Sequence, residues 1–181
     1  MLHLNFSPFP ELTTKRLKMR ALQIGDAEAI ARLRSNDQVN QFLDRPPLKE
    51  ISEAHAFIEK IQSAIRSNQS VYWAISLKTA PEIVGTICYW NIVPEKDRAE
   101  IGYELMPEFQ GKGIMEEALK KVLEYGLRAL KLKAIVALTH PANIKSIRLL
   151  EKNQFVPDLE GTFISKDEAQ DEAPFYLYLP F

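Results

Sequence analysis

Apolar and polar residues alternate strictly over residues 99–105. Ala99, Ile101, Tyr103 and Leu105 are apolar, with Glu100, Gly102 and Glu104 between them. A period of two predicts a strand with one buried face. Pro107 cannot donate to a sheet ladder, so the strand is expected to stop near Met106. After the turn Gln110-Gly111-Lys112-Gly113 the period changes. Met115, Ala118, Leu119, Val122, Leu123, Gly126 and Leu130 fall on one face of a helix. Glu116, Glu117, Lys120, Lys121, Glu124 and Arg128 fall on the other, spaced for ion pairs one turn apart.

The same reading extends to the rest of the chain. Residues up to Thr14 form an extended lead-in, and residues 16–22 alternate as a strand. Asp26 is expected to cap a helix carrying Ala27, Ile30, Ala31 and Leu33. Residues 36–47 read as irregular, because Pro46-Pro47 excludes helix. Ser52 is expected to cap a helix carrying Ala54, Phe57, Ile58, Ile61, Ala64 and Ile65, ended by Ser67-Asn68. Val71, Trp73, Ile75 and Leu77 alternate as a strand. Residues 78–82 read as a turn, and residues 83–92 as a β-branched and aromatic strand. Residues 134–138 are a continuous apolar run, short enough for a buried strand. A helix over residues 144–152 is expected to bury Ile144, Ile147 and Leu150. A strand begins at Phe155-Val156. The acidic stretch 158–172 has room for a short strand near 161–164. Phe175, Leu177 and Leu179 alternate as a closing strand. Hairpins early and a crossover helix later predict a mixed α+β fold. Its mixed, mostly antiparallel sheet of about seven strands is flanked by helices, and residues 1–181 form one domain.

Composition narrows the function. The chain has 181 residues, 46% hydrophobic and 26% charged, with net charge −1. That balance gives no electrostatic case for nucleic acid or anionic membrane as partner. The single cysteine, Cys88, excludes an intramolecular disulfide and a cysteine metal cluster, and reads as a small buried hydrophobe. His3, His55 and His140 are too scattered for a metal site. The opening MLHLNFSPFP lacks a basic leader, and no run reaches membrane-spanning length. The expected setting is cytoplasmic, as monomer or homodimer.

A strand, a glycine turn and a helix together suit phosphate. The first helical turn has unpaired N–H groups and a positive dipole end, and glycines admit close approach. A P-loop is excluded because Gly113 follows Lys112. A dinucleotide fingerprint is excluded because Glu116 stands where its third glycine belongs. The stretch resembles the GNAT superfamily of N-acetyltransferases, whose [QR]-x-x-G-x-[GA] signature lies between a strand and a long helix. Gln110, Gly113 and Met115 occupy its three fixed places, Met115 in place of a small residue. The resemblance implies a GNAT fold and acetyl-CoA as cosubstrate, with no metal. It implies that the cofactor is bound at Leu105, Met106, Gln110, Gly111, Lys112, Gly113, Ile114 and Met115, with the backbone amides of the last six on the pyrophosphate.

Two further segments are similar to GNAT enzymes of the Rim type, which acetylate the N-terminal amines of ribosomal proteins. One is Leu12-Thr13-Thr14-Lys15-Arg16-Leu17, resembling L-x-T-x-R-L. The other is Asn143-Ile144-Lys145-Ser146, an N-x-x-S element, followed by Leu150-Glu151-Lys152-Asn153-Gln154-Phe155. On residue type alone Asn143 is a helix cap. The resemblance adds that Asn143 contacts the pantetheine arm and that Ser146 protonates the leaving thiolate. Transfer to an amine also needs a base. Glu100 and Glu104 are the candidates, about 13 Å apart on one strand face by strand rise. The plainer reading makes both solvated or structural carboxylates on a half-exposed face. Asp167, Glu168, Asp171 and Glu172 either frame a cationic amine or form a solvated loop. His140 is expected to cap a turn, and Trp73, Tyr89, Trp90 and Tyr103 to line core or pocket. The function expected is acetyl-CoA-dependent transfer to a primary amine, with a protein N-terminus as one acceptor. The alternatives are a small amine such as a polyamine, amino acid or antibiotic, and a non-catalytic acyl-CoA-binding module.

Overall fold

The structure is a computed structural model that describes residues 2–178. One sheet of eight strands organises it, in the order β1-β2-β3-β4-β5-β6-β8-β7. The strands are β1 (Leu12–Thr13), β2 (Leu17–Ala21), β3 (Val71–Leu77), β4 (Ala80–Val93), β5 (Arg98–Leu105), β6 (Ala134–Thr139), β7 (Val156–Pro157) and β8 (Ala173–Tyr178). The helices are α1 (Ala27–Ser35), α2 (Asp37–Asn40), α3 (Ile51–Arg66), α4 (Ile114–Tyr125), α5 (Ile144–Lys152) and α6 (Lys166–Ala169). Every pairing is antiparallel except β5 with β6, where α4 makes the crossover. The mixed α+β architecture expected from the patterning is the one observed. Leu179, assigned to the closing strand, lies outside the described residues. Among the described residues no helix is long and apolar enough to cross a membrane.

The apolar stripe of α4 is buried as its spacing requires: Met115, Ala118, Leu119, Val122 and Leu123. A π-helical turn, Gly126–Leu130, continues it. Gly126 is needed there, since a Cβ would collide with the hydroxyl of Tyr89. That hydroxyl donates to the Val122 carbonyl at 3.0 Å.

Several local expectations are corrected. Asp26 does not cap α1; its carboxylate accepts from the Gln23 amide at 2.7 Å and pairs with Arg20 at 2.8 Å. Ser52 does not cap α3; Glu50 does, in a reciprocal box with Glu53. Residues 36–47 contain α2, because the Asn36 side chain accepts from the amides of Gln38 and Val39. Pro81 lies inside β4, at the irregular end of its pairing with β3. Ile144 is half exposed. Residues 161–164 form no strand. β3 is buried on both faces, since α3 covers one through Phe57 on Tyr72 and α4 the other through Tyr125 on Trp73.

Candidate active site

The site begins where two strands part. β5 and β6 pair only from Arg98↔Ala134 to Glu100↔Val136, yet β5 runs on to Leu105 and β6 to Thr139. Beyond Glu100 a wedge opens between them. The Met106 amide donates to the Val84 carbonyl at 2.9 Å, which makes that pair a hydrogen-bonded one. By antiparallel alternation the backbone groups of Tyr103 and Leu105 then point away from β4 and into the wedge. The Leu105 carbonyl accepts from the Gln110 side chain at 3.1 Å. Leu105 therefore offers its N–H to a ligand in the wedge. Met106 does not, because its amide is spent on Val84.

At the mouth of the wedge lies the glycine turn. Gly111 and Gly113 have φ of +73° and +70°, a conformation that favours glycine. Gly113 is the cap residue of α4, and no side chain caps that helix end. Among the described residues the amides from Gly111 to Glu116 have no hydrogen-bond acceptor. Met115 turns its side chain into the core, 7% exposed, so its size does not obstruct the loop. An uncapped helix start behind two left-handed glycines fits a pyrophosphate. Lys145 leans over the turn and donates to the Gln110 side chain at 3.2 Å.

The loop is tied down from the far end of the chain. The Thr14 hydroxyl donates to Glu117 at 2.5 Å, and the Arg16 amide and Nε donate to the same carboxylate at 2.8 and 2.6 Å. Arg16 Nη1 also donates to the Lys112 carbonyl at 2.9 Å. Burial disfavours the charged Glu117, but these donors outweigh it and hold the carboxyl at about 2. Residue patterning placed Glu117 on the solvent face of α4 and missed this role. The Thr14–Arg16 motif was its only signal.

Across the wedge stands the start of α5. Asn143 caps it, its side chain accepting from the Ser146 amide at 3.2 Å. The hydroxyls of Ser146 and Tyr103 share a hydrogen bond of 2.8 Å. Burial pushes the Tyr103 phenol up to about 12, against the lowering effect of Ser146, so it is protonated at neutral pH. Tyr103 was read as a wall residue, and alternation alone could not show its partner.

On the other face of β5 is a cleft of about 1010 Å³ that contains both candidate glutamates. They are not equivalent. Glu104 is gripped by Arg45 through both oxygens, one contact at 2.9 Å, with Arg34 at 3.5 Å. Glu100 is 5% exposed and accepts from Asn91 Nδ2 at 3.3 Å. Asn91 sits at the irregularity between Trp90 and Val93, with φ of +44°, which turns its amide toward Glu100. Burial first, and the nearby Glu172 and Glu168, raise the Glu100 carboxyl to about 7 against the opposing effects of Asn91 and Arg98. The expectation of a solvated carboxylate is thus corrected at Glu100.

The acidic stretch 158–172 is no loose loop. Asp158 is buried and accepts from the amides of Thr162, Phe163 and Ile164 at 2.8, 2.8 and 2.9 Å. It brings Glu168, Asp171 and Glu172 to the cleft, whereas Asp167 does not line it. Arg98 bonds the Phe163 carbonyl and meets Glu168 at 3.6 Å. His140 also lines the cleft, and its Nδ1 accepts from the Ala142 amide at 3.1 Å, the turn-capping role expected. Cys88 is half-buried, packed against the core and lining the cleft, its thiol pushed up to about 12 by burial and by Glu104.

Fold and site together define a class. Residues 16–156 match the acetyltransferase (GNAT) domain, so the chain belongs to the GNAT acetyltransferase family. It is an N-acetyltransferase. Bacillus subtilis YoaA, an uncharacterized N-acetyltransferase, is 35% identical over 147 residues, 81% of this chain and 83% of that one. The Escherichia coli alanine N-acetyltransferase of ribosomal protein uS5 is 27% identical over 156 residues, 82% and 79% of the two chains. The structure of RimL, a ribosomal L7/L12 α-N-protein acetyltransferase in complex with coenzyme A, superposes with a TM-score of 0.80 at 19% identity. The match covers 94% of this chain and 98% of that one.

Proposed function

We propose that the protein, acting as one domain, moves the acetyl group of acetyl-CoA to a primary α-amine at a peptide or protein N-terminus. The observation that carries this is the wedge between β5 and β6. It has an uncapped glycine-lined helix start at its mouth and the Tyr103–Ser146 hydroxyl pair across it. The amides from Gln110 to Met115 are assigned to the pyrophosphate, with Gln110 acting mainly through its side chain, since its N–H already donates to Pro107. The Leu105 N–H and the free amide hydrogens of Asn143 are assigned to the pantetheine arm. The uS5 and L7/L12 enzymes named above act on ribosomal proteins, which supports an N-terminal amine as acceptor.

Each chemical demand then has a residue. Glu100 takes the ammonium proton, directly or through water, and a carboxyl near 7 is matched to that task. Glu104 is left as a structural partner of two arginines. Ser146 gives its proton to the departing thiolate, and Tyr103 replaces it along their hydrogen bond. The thioester is already activated, so no covalent enzyme intermediate is needed. The test is free-thiol release from acetyl-CoA with N-terminal peptides, a polyamine, free amino acids and an aminated antibiotic, the product located by mass. Acetyl on a peptide α-amine is the expected result. Turnover confined to the polyamine or antibiotic would replace the N-terminal acceptor with a small amine.

A further inference from the structure

The cleft that holds Glu100 and Glu104 carries opposite charge at its two ends. At the Glu104 end Arg34, Arg45 and Lys60 stand against one carboxylate. Arg45 is satisfied, with both terminal nitrogens on Glu104 and its Nε donating to Asn40 at 3.0 Å. Arg34 is not. It reaches Glu104 only at 3.5 Å, its guanidinium packs 4.0 Å from the Phe57 ring centre, and its buried Nε has no acceptor. Burial lowers its pKa against Glu104, Arg45 adds repulsion, and the Tyr72 hydroxyl beside it offsets these only in part. A guanidinium withdrawn from water and short of acceptors is unfavourable unless a ligand supplies them. At the other end are Glu100, Glu168, Asp171, Glu172 and Asp44, with His140. Arg98 pairs with Glu168 and acts on Glu100 only at longer range, and the hydrogen-bond partner of Glu100 is a neutral amide.

We infer that the acceptor carries a carboxylate about 10 Å from its reacting amine. The carboxylate sits on Arg34, and the ammonium enters at Glu100. This rests on the amine-acceptor reading above and narrows it. The span is taken from the strand: Glu100 and Glu104 are about 13 Å apart along β5, Arg34 lies 3.5 Å from Glu104, and each ligand group stops short of its partner. An extended peptide advances about 3.3–3.6 Å per residue. A tripeptide with a free C-terminus fits. So does a longer N-terminus with Asp or Glu near its third position. A single α-amino acid is too short, and a polyamine would set a cation against Arg34.

The experiment measures thiol release with trialanine, trialanine amide, a longer C-terminally amidated peptide with Glu third, its Gln counterpart, and spermidine. Wild type is expected to favour each carboxylate over its neutral partner by about tenfold or more in kcat/KM, the effect of one charge-assisted hydrogen bond. The preference should lie in KM and shrink with salt. In Arg34→Gln the acid-to-neutral ratio should fall toward one, whereas Arg34→Lys should keep part of it. Preference for trialanine would name a free C-terminus as the source, and preference for the Glu peptide an N-terminal segment. Equal rates for acid and neutral partners in wild type would overturn the inference, as would spermidine as best acceptor. If Arg34→Gln does not fold, the wild-type ratio and its salt dependence decide alone. If only spermidine or no amine is acetylated, the peptide reading falls and this inference with it. Peptides acetylated without regard to charge leave that reading standing alone.

Discussion

Glu100 unites a buried carboxyl, a neutral hydrogen-bond donor and an open cleft in one side chain. If it is the base, Glu100→Gln should lower turnover about a hundredfold near pH 7, the usual worth of such help. The defect should shrink above the amine's own pKa, where free base forms unaided. Stability gives a second reading of the same group. Its folded carboxyl lies near 7, above the unfolded value, so the folded chain binds more protons between about pH 4.5 and 7. The stability it contributes is complete below that window and lost as pH rises through 7. Wild type should therefore lose up to about 3 kcal/mol relative to Glu100→Gln by pH 8. Melting temperatures of both proteins from pH 4 to 8 measure it, and parallel curves would mean the carboxyl is not displaced. Tyr103→Phe tests the acid side. It removes one hydroxyl from the Ser146 pair, and kcat is expected to fall about tenfold with acetyl-CoA affinity kept. Unchanged kcat would leave Ser146 to recover its proton from water. Alternation along β5 told which side chains share a face. It did not tell that the face is covered at Glu100, because the cover comes from residues more than fifty positions later.

At the scale of elements, the phosphate loop depends on a clamp between the β1–β2 turn and α4. Thr14 and Arg16 lie about a hundred residues before Glu117, yet they consume its whole carboxylate and reach the loop carbonyl at Lys112. Glu117→Gln should loosen the loop without touching the reacting atoms. The expected result is a rise of about tenfold in KM for acetyl-CoA with kcat nearly kept. The sign in acid is fixed too: a carboxyl held at about 2 contributes stability above its unfolded value and loses it as pH falls toward 2. The variant should thus melt lower at pH 7 and converge with wild type in acid. Of the pairs that patterning proposed on α4, Glu116 with Lys120 forms at 2.7 Å and Glu124 with Arg128 at 3.8 Å. Glu117 was drawn away from Lys121 by partners that local spacing cannot register. Spacing did locate the glycine turn and the helix behind it, because both are set by residues adjacent in the chain.

For the whole molecule, legibility follows sequence distance. The strands and the one parallel pair came from short-range periodicity and from the length of a connection. The wedge, the charged cleft and the ordered late segment did not, since each is made where remote pieces meet. The segment over residues 158–172 shows why. Its polar composition resembles that of a solvated loop, and only Asp158 distinguishes it. One buried carboxylate gathers three consecutive amides and thereby holds Glu168, Asp171 and Glu172 against the cleft. Burial opposes the charge on Asp158, but the amides outweigh it and lower its pKa, so the contribution is present above the unfolded value and lost in acid. Asp158→Ala leaves those amides without their acceptor, at about 2–3 kcal/mol, or roughly 5–10 °C of melting temperature for a chain of this size. The kinetic consequence should be one-sided. The released segment lines the amine cleft and not the glycine turn, so KM for the acceptor should rise several-fold while KM for acetyl-CoA holds. Both constants measured below the lowered melting point decide it. A parallel rise in the two would show that Asp158 supports the entire sheet rather than the acceptor side alone.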